Sequence, residues 1–182
     1  MIKGLMLLAD GFETVEALGT LDILHRTHKI EMDYVSINDS TLVTTSAGIK
    51  VAASGLLKDI DDISIYDFVV LPGGKLGVEN IKNSSLAMAT VKKFHDEDKY
   101  LCAICAAPSI LGELGYLDGK KYTCFPGFQR GNGEYINTGS VIDGKVITGH
   151  SMGYTTPFAE NIIRSLLNED SVTAIQPGIK GL

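Results

Sequence analysis

Three short and almost entirely apolar runs constrain the fold of this chain more than any other feature. They are Ile2–Ala9, Phe68–Leu71 and Leu101–Ile104, and they end at Asp10-Gly11, Pro72-Gly73-Gly74 and Cys105-Ala106-Ala107. A strand that is apolar throughout is typical of a parallel sheet, where both of its faces are buried. No run approaches the roughly 18–20 apolar residues of a membrane span, so we expect no contact with a membrane.

Amphipathic segments separate these predicted strands. Apolar residues at Val15, Leu18, Leu21 and Leu24 predict a helix from Glu13 to about His28. Further helices are predicted over Ser84–Asp98, Ala107 to about Leu114 and, as the last one, Thr156–Leu167, and a hairpin over Thr41–Thr45 and Ile49–Ala53. Strands that alternate with helices predict an α/β fold with a mostly parallel sheet, whose site lies beyond the carboxyl ends of the strands.

Length, charge and cysteine content exclude several classes of protein. The 182 residues correspond to one domain, which we place at 1–182. Sixteen basic against 22 acidic residues give a net charge of −6, with no basic cluster for nucleic acid. Three cysteines and no signal peptide predict free thiols and a cytoplasmic location. No metal-binding spacing of histidines or cysteines occurs, so we expect no metal.

Cys105 is the strongest candidate for chemistry. It stands between a buried strand and a predicted helix, where a sharp turn exposes the side chain and the free N–H groups of the helix stabilise a thiolate. The alternative is a buried structural cysteine. Cys102 completes a C-x-x-C pattern, but its place inside the strand disfavours a thioredoxin-like pair, and Cys124 is interpreted as a core thiol or one near the site.

Acidic residues follow the first strand, and glycines follow the second. Asp10, Glu13 and Glu16 suit the first turn of a helix, because carboxylates complement its dipole, and spacing alone does not choose between Glu13 and Glu16. Gly73-Gly74 indicates either a close backbone approach to a ligand or a plain tight turn. Among the four histidines, only His150 is placed where a site residue is expected, in a loop after a strand.

Four motifs, in this order, resemble the DJ-1/PfpI superfamily over essentially the whole chain, most of all its DJ-1/YajL/ThiJ-type branch. The motifs are Ala9-Asp10-Gly11-Phe12-Glu13-Thr14-Val15-Glu16 with Asp22 following, Val69-Val70-Leu71-Pro72-Gly73-Gly74, Ala103-Ile104-Cys105-Ala106-Ala107-Pro108 and Thr123-Cys124-Phe125-Pro126.

The resemblance implies a flavodoxin-like three-layer sandwich and a homodimer. It implies that Cys105 is the reactive, oxidation-prone nucleophile and selects Glu16 as the protonated carboxyl that contacts it. The backbone N–H groups of Gly74 and Ala106 are then expected to line an anion pocket, with Gly73 beside them. A carboxyl beside a thiolate is driven to stay neutral, which makes it a hydrogen-bond donor.

The sequence departs from the superfamily at two positions. Ala106 replaces the histidine that follows the nucleophile in protease-like and amidotransferase-like members, which disfavours a peptidase. Phe125 replaces the histidine that precedes the proline in DJ-1 itself. His150 takes the place of an arginine near the mouth of the pocket and is expected to serve partly in its stead.

The resemblance implies two kinds of function for the same residues. The first is a stress-response enzyme without a cofactor, of glyoxalase III or deglycase type, which acts on small reactive carbonyls or early glycation adducts through Cys105 and is slow because of Phe125. The second is a non-catalytic oxidation sensor or redox-regulated chaperone. A third hypothesis is an enzyme of the thiamine pathway, but the sequence contains no phosphate-binding loop to support it.

Overall fold

The apolar runs form the centre of a seven-stranded sheet. The computed structural model describes residues 1–182. In chain order its strands are β1 (Ile2–Leu8), β2 (Ile30–Ser36), β3 (Leu42–Thr44), β4 (Lys50–Ala52), β5 (Gly55–Leu56), β6 (Phe68–Leu71), β7 (Tyr100–Ile104), β8 (Lys121–Tyr122), β9 (Glu134–Tyr135), β10 (Ser140–Asp143) and β11 (Val146–Gly149). The helices are α1 (Thr14–His25), α2 (Lys75–Asn83), α3 (Ser85–Asp96), α4 (Pro108–Glu113), α5 (Thr155–Leu166) and α6 (Glu169–Lys180). None of them is long and apolar enough to cross a membrane.

The sheet has the strand order β10-β11-β7-β6-β1-β2-β5, and only β10 and β11 are antiparallel. Successive side chains of β1 enter two different cores: Leu5 and Leu7 pack with residues of α2, α3 and α4, whereas Met6 and Leu8 pack with residues of α1, α5 and α6. This alternation is what a strand buried on both faces produces. The predicted α/β sandwich with a mostly parallel central sheet is therefore confirmed.

The buried face of α1 differs from the predicted one. Val15 is 47% exposed and Leu18 is exposed as well, so the first half of the predicted stripe does not face the core, whereas Leu24 at its end is buried. The buried side chains are instead Glu16, Ala17, Thr20, Ile23 and Leu24. Small residues are needed here because α5 lies close: a Cβ on Gly19 would come within 3.0 Å of Thr155 Cγ2. The spacing of apolar residues alone therefore does not identify the buried face of α1.

The sequence analysis missed two helices. Helix α2 begins directly after Gly74, and the helix predicted from Ser84 is α3, whose N-terminus Ser84 caps by accepting the N–H of Ala87 at 3.2 Å. Helix α6 follows α5, which corresponds to the helix that the sequence predicts as the last one. It contains Pro177 and Gly178, which in sequence look like a turn and hide the helical pattern.

The turns that follow β1, β6 and β7 are distant in sequence but lie close together in the fold. The carboxyl ends of β1, β6 and β7 lie at one edge of the sheet because the three strands are parallel neighbours. The predicted hairpin is present as β3 and β4, which pair with each other outside the main sheet. It lies against the turn after β1, where Phe12 and Thr45 form an isolated parallel bridge. This edge carries the candidate site.

Candidate active site

Cys105 adopts a left-handed backbone conformation at the end of β7. Its φ angle is 64°, which is costly for a residue with a side chain. Two hydrogen bonds hold its peptide: the N–H of Cys105 donates to Gly149 O at 2.9 Å, and the N–H of Phe125 donates to Cys105 O at 2.8 Å. Such strain persists only where the surroundings enforce it. The cysteine is thus set in a fixed, sharp turn between strand and helix.

Small, buried residues allow the chain to turn there. Ala106 and Ala107 are both buried directly after Cys105, and Pro108 opens α4, where its missing N–H leaves no bond unmade. The hydroxyl of Ser109 donates to Ala106 O at 2.7 Å and closes the turn. The side chain of Cys105 is half-buried, whereas Cys102 and Cys124 are completely buried and all three thiols are free.

Glu16 brings a carboxyl group into the same place. It is 1% exposed, and its Oε2 accepts the backbone N–H of Gly73 at 2.8 Å. Burial raises the pKa of Glu16 to about 7, and the negative charge of Glu13 adds to the rise. The neighbouring thiol of Cys105 and the N–H of Gly73 act in the opposite direction. Glu16 is therefore close to half-protonated at neutral pH.

The second oxygen of this carboxyl has no hydrogen-bond partner. Oε1 of Glu16 is buried and unpaired, so the thiol of Cys105 lies near the carboxyl without forming a hydrogen bond of good geometry with it. A buried polar atom without a partner is rare and costs free energy. The carboxyl of Glu16 thus keeps one oxygen without a hydrogen bond in the interior of the site.

The structure places Glu13 differently from Glu16. Glu13 lies on the outside of the first turn of α1, and its Oε2 accepts the hydroxyl of Ser46 at 2.9 Å. Asp10 does not lie in the helix at all, since α1 begins at Thr14. The expectation that Asp10 serves the helix dipole from the first turn is therefore wrong, because its carboxylate bonds to the chain after β2 instead.

Two backbone N–H groups approach the sulfur of Cys105. The N–H groups of Gly74 and Ala106 lower the pKa of the thiol, whereas burial and the neighbouring charge of Glu16 raise it more strongly. Gly74 has a φ of 88°, and a Cβ there would overlap Gly11 O, so only glycine fits. The arrangement can accept a negative charge on sulfur or on an oxygen bound next to it.

Cys105 and Glu16 are coupled acids. The charge of Glu16 raises the pKa of the thiol, whereas the neighbouring thiol lowers the pKa of Glu16, so the first proton leaves mainly from the carboxyl and the pair then carries one negative charge. Whichever atom carries that charge, a fraction of the pair is thiolate with a protonated carboxyl. Reactivity of the thiol should therefore follow the ionisation of the pair and not that of an isolated cysteine.

Phe125 binds the peptide of Cys105 through its backbone N–H, and His150 directly follows Gly149, whose carbonyl accepts the N–H of Cys105. The Nδ1 atom of His150 lies 3.2 Å from the hydroxyl of Ser151, and the ring packs edge-on against Tyr154. The side chain of Phe125 is 45% exposed and packs edge-on against Phe128. No hydrogen bond joins either ring to Cys105. No group of three histidine, cysteine or acidic side chains is arranged to hold a metal ion.

Sequence reasoning missed the role of the residues around the turn after β1. The carboxylate of Asp10 accepts hydrogen bonds from Thr44 N–H and Asn38, and Ser46 binds Glu13. These partners lie 28 to 34 residues apart in sequence. The only signal in the sequence is an aspartate directly after a buried strand and before a glycine. An aspartate at such a position can serve many different roles, so the pattern does not identify this one.

Comparison with known proteins agrees with this architecture. The model of the DJ-1/PfpI family matches residues 3–165. DJ-1 homolog B of Arabidopsis thaliana is 33% identical over 177 residues, and DJ-1 homolog A over 173 residues is also 33% identical. These matches cover 95% and 92% of this chain but 40% and 44% of those proteins, so the chain spans less than half of their length. Protein dj-1beta of Drosophila melanogaster is 28% identical, with 97% of this chain and 96% of that protein covered.

Solved structures with the same fold cover nearly the whole chain. A cysteine-to-alanine mutant of a DJ-1 superfamily protein from Salmonella typhimurium has a TM-score of 0.92 at 33% identity, with 98% of each chain covered. The oxidized form of Toxoplasma gondii DJ-1 has a TM-score of 0.88 at 27% identity, again with 98% of each chain covered.

Proposed function

The chain belongs to the DJ-1/PfpI family, and on this basis we propose that it is a DJ-1-like cysteine protein that converts small reactive carbonyls without a cofactor. The observation that carries the proposal is the Cys105–Glu16 pair. A carboxyl group with a pKa of about 7 is suited to accept and return protons at neutral pH, and it lies beside a nucleophile in a strained turn.

With methylglyoxal as substrate, the first step forms a carbon–sulfur bond. The sulfur of Cys105 adds to the aldehyde carbon, and the carbonyl oxygen becomes a hydroxyl by taking the proton that the pair supplies. The N–H groups of Gly74 and Ala106 stabilise the negative charge that develops on that oxygen. The product of this step is a hemithioacetal on Cys105.

The remaining steps need only proton transfers and water. Glu16 takes the proton from the former aldehyde carbon while the ketone oxygen is protonated, which gives an enediol. A proton is then returned to the former ketone carbon and the hydroxyl on the former aldehyde carbon loses its proton, which gives a lactoyl thioester. The aldehyde carbon is oxidised and the ketone carbon is reduced, so no external oxidant or reductant is required. Water then hydrolyses the thioester to lactate and restores the thiol. With a hemiaminal as the early glycation adduct, the sulfur bonds to the hemiaminal carbon as the amine leaves with the proton that the pair supplies, and the same hemithioacetal results.

The aromatic side chain at position 125 limits this chemistry. Phe125 provides no acid or base beside Cys105, so Glu16 must perform every proton transfer unless His150 contributes. A single acid–base group supports a slow enzyme. Ala106 likewise provides no imidazole next to the nucleophile, which disfavours peptidase activity.

Lactate production from methylglyoxal tests the proposal. We expect activity in the wild type and its loss in both Cys105→Ala and Glu16→Ala. Absence of activity in the wild type, or an unchanged rate in Cys105→Ala, would contradict carbonyl chemistry at this site. Folding of each variant is checked by its circular dichroism spectrum.

A second candidate function is sensing of oxidation, and the unpaired Oε1 of Glu16 favours it. Hydrogen peroxide oxidises the thiolate to a sulfenate and then to a sulfinate, and each step releases one water molecule. A protonated Glu16 would donate to the sulfinate through Oε1 and so satisfy an atom that lacks a partner in the reduced protein. The oxidized Toxoplasma gondii relative is consistent with such chemistry in the family.

Peptide mass spectrometry after peroxide treatment distinguishes the two functions. A gain of two oxygens at Cys105, but not at Cys102 or Cys124, in a protein that makes no lactate supports the sensor. Random oxidation of all three thiols contradicts it.

Exposed apolar residues support a homodimer as part of the same proposal. Val15 and Leu18 are exposed on α1, and Leu18 and Leu21 line an apolar groove together with Met32 and Val51. Contiguous apolar surface of this kind marks an interaction site in many proteins. A second copy of the chain, burying the same face, is the partner that the family resemblance favours.

A further inference from the structure

Asp10 joins three separate segments of the chain at the turn between β1 and α1. Its Oδ1 accepts the N–H of Thr44 at 2.7 Å, and its Oδ2 accepts the side-chain amide of Asn38 at 3.0 Å. Its backbone carbonyl accepts the side-chain amide of Asn80 at 2.8 Å. The loop after β2, strand β3 and helix α2 are therefore all bound to one residue, and we call these bonds the Asp10 clamp.

Helix α1 has no cap of its own to fix where it begins. Glu13, the N-cap residue, makes no side-chain hydrogen bond to the helix, and its carboxylate binds Ser46 instead. The backbone N–H of Glu13 donates to Gly73 O at 3.1 Å. The first turn of α1 is thus positioned by contacts of the preceding turn and not by a capping side chain.

The β3–β4 hairpin is attached to the same turn. Gly11 N–H donates to Thr44 O at 2.7 Å, and Ser46 N–H donates to Phe12 O at 2.8 Å. A two-stranded hairpin is marginally stable alone, so its position depends on such contacts. The bonds to the carboxylate of Asp10 are charge-assisted and hence among the stronger ones.

We propose that Asp10 is a positioning residue for the Cys105–Glu16 pair. Glu16 stands one helical turn after Glu13, so a shift of the turn that the Asp10 clamp holds moves the Glu16 carboxyl relative to the sulfur. Asp10 contacts neither the sulfur nor Glu16 and acts through the backbone. The inference rests on the pair that the proposed function uses, but not on the substrate.

Alkylation of Cys105 by iodoacetamide at neutral pH tests this role in the full chain. Peptide mass spectrometry gives a separate rate for each of the three cysteines. In Asp10→Ala we expect the rate at Cys105 to rise roughly 10-fold, as a fall of about one unit in the pKa of the thiol produces, because the displaced carboxyl of Glu16 opposes the thiolate less. Asp10→Asn keeps an oxygen for Thr44 N–H, and its amide can donate to a flipped Asn38, so its rate should stay close to that of the wild type.

Two controls separate positioning from loss of structure. Asp39→Ala removes an exposed carboxylate from the same loop as Asn38 and should leave the rate at Cys105 unchanged. Cys102 and Cys124 are completely buried, and a loosened fold would increase their alkylation. A wild-type rate at Cys105 in Asp10→Ala, or labelling that rises at all three cysteines, overturns the inference. A wild type that is alkylated but makes no lactate counts only against carbonyl chemistry.

Discussion

Gly73 lies between the two reactive side chains and binds one of them: its N–H donates to Glu16 Oε2 at 2.8 Å. A Cβ on Gly73 would stand 2.5 Å from that oxygen and 2.6 Å from Cβ of Cys105. Atoms cannot approach so closely, so the absence of a side chain at Gly73 is what allows the carboxyl and the thiol to meet.

Gly73→Ala should therefore separate the pair. We expect the rate of lactate formation, which uses both side chains, to fall by about 10²-fold, as misplacement of a reacting group by about 1 Å can do. Gly55→Ala is the matched control, because no atom lies within 4 Å of a Cβ there. Equal rates in both variants would show that the spacing at Gly73 is not required.

Glu16 should make the stability of the protein depend on pH. In the unfolded chain its pKa is near the ordinary 4.5, whereas burial raises it to about 7 in the folded protein. Between these values the folded protein holds a proton that the unfolded chain has released. The free energy of unfolding therefore falls as pH rises from about 4.5 to about 7, by at most about 3 kcal/mol.

Urea unfolding of the wild type and Glu16→Gln measures this effect. The amide has nearly the same shape and does not titrate, so the variant should lack this part of the pH dependence. The stability difference between the two proteins should change between about pH 4.5 and about pH 7 and stay constant above it. A constant difference across the whole range would mean that Glu16 is not the titrating group.

The left-handed backbone at Cys105 predicts an effect on stability that is independent of reactivity. Glycine adopts a φ of 64° without strain, whereas alanine does not. Cys105→Gly should therefore be about 1 kcal/mol more stable than Cys105→Ala, although both lack the thiol. Thermal unfolding of the two variants checks this, and a less stable Cys105→Gly would show that the turn is not strained.

Restoring an imidazole beside Cys105 should accelerate turnover. The side chain of Phe125 is largely exposed, so Phe125→His costs little packing and supplies a second acid–base group. We expect kcat for lactate formation to rise about 10-fold, with a new dependence on pH near the pKa of histidine. Phe125→Ala is the control for loss of the ring. An equal gain in that variant would assign the effect to access and not to catalysis.

The outer face of α1 predicts the oligomeric state. Leu18→Glu places a charge in the proposed dimer interface and should convert a dimer to a monomer in sedimentation experiments. Leu86→Glu introduces the same change at an exposed leucine of α3 and should leave the dimer intact. A wild type that sediments as a monomer contradicts the proposed homodimer.

The apolar runs were enough to predict the centre of the fold. Phe68–Leu71 forms a strand with the predicted bounds, and the hairpin and the turn at Cys105 also lie where the sequence places them. The buried face of α1 was not predictable from hydrophobic spacing, because close packing against α5 selects small residues and because Glu16 is buried for its contact with Gly73. Helix α6 was missed because proline and glycine within it are typical of turns.

The candidate site was only partly accessible to sequence reasoning. The choice of Cys105 as the candidate nucleophile follows from its place between strand and helix, a local feature. The choice between Glu13 and Glu16 depends on which of them faces Gly73, which is 57 residues away from Glu16 in sequence. The roles of Asp10 and Ser46 depend likewise on where the hairpin packs, and no local pattern encodes this.

Cys105 and Glu16 titrate as a pair, so Glu16 should set the pH at which Cys105 begins to react. The most direct measurement is the rate of iodoacetamide alkylation of Cys105 as a function of pH, in the wild type and in Glu16→Gln. The wild-type rate should rise with a midpoint near the pKa of about 7 that burial gives Glu16, since the pair loses its first proton there. In Glu16→Gln the midpoint should move to clearly higher pH, because the buried thiol then ionises alone. The same midpoint in both proteins would contradict the account.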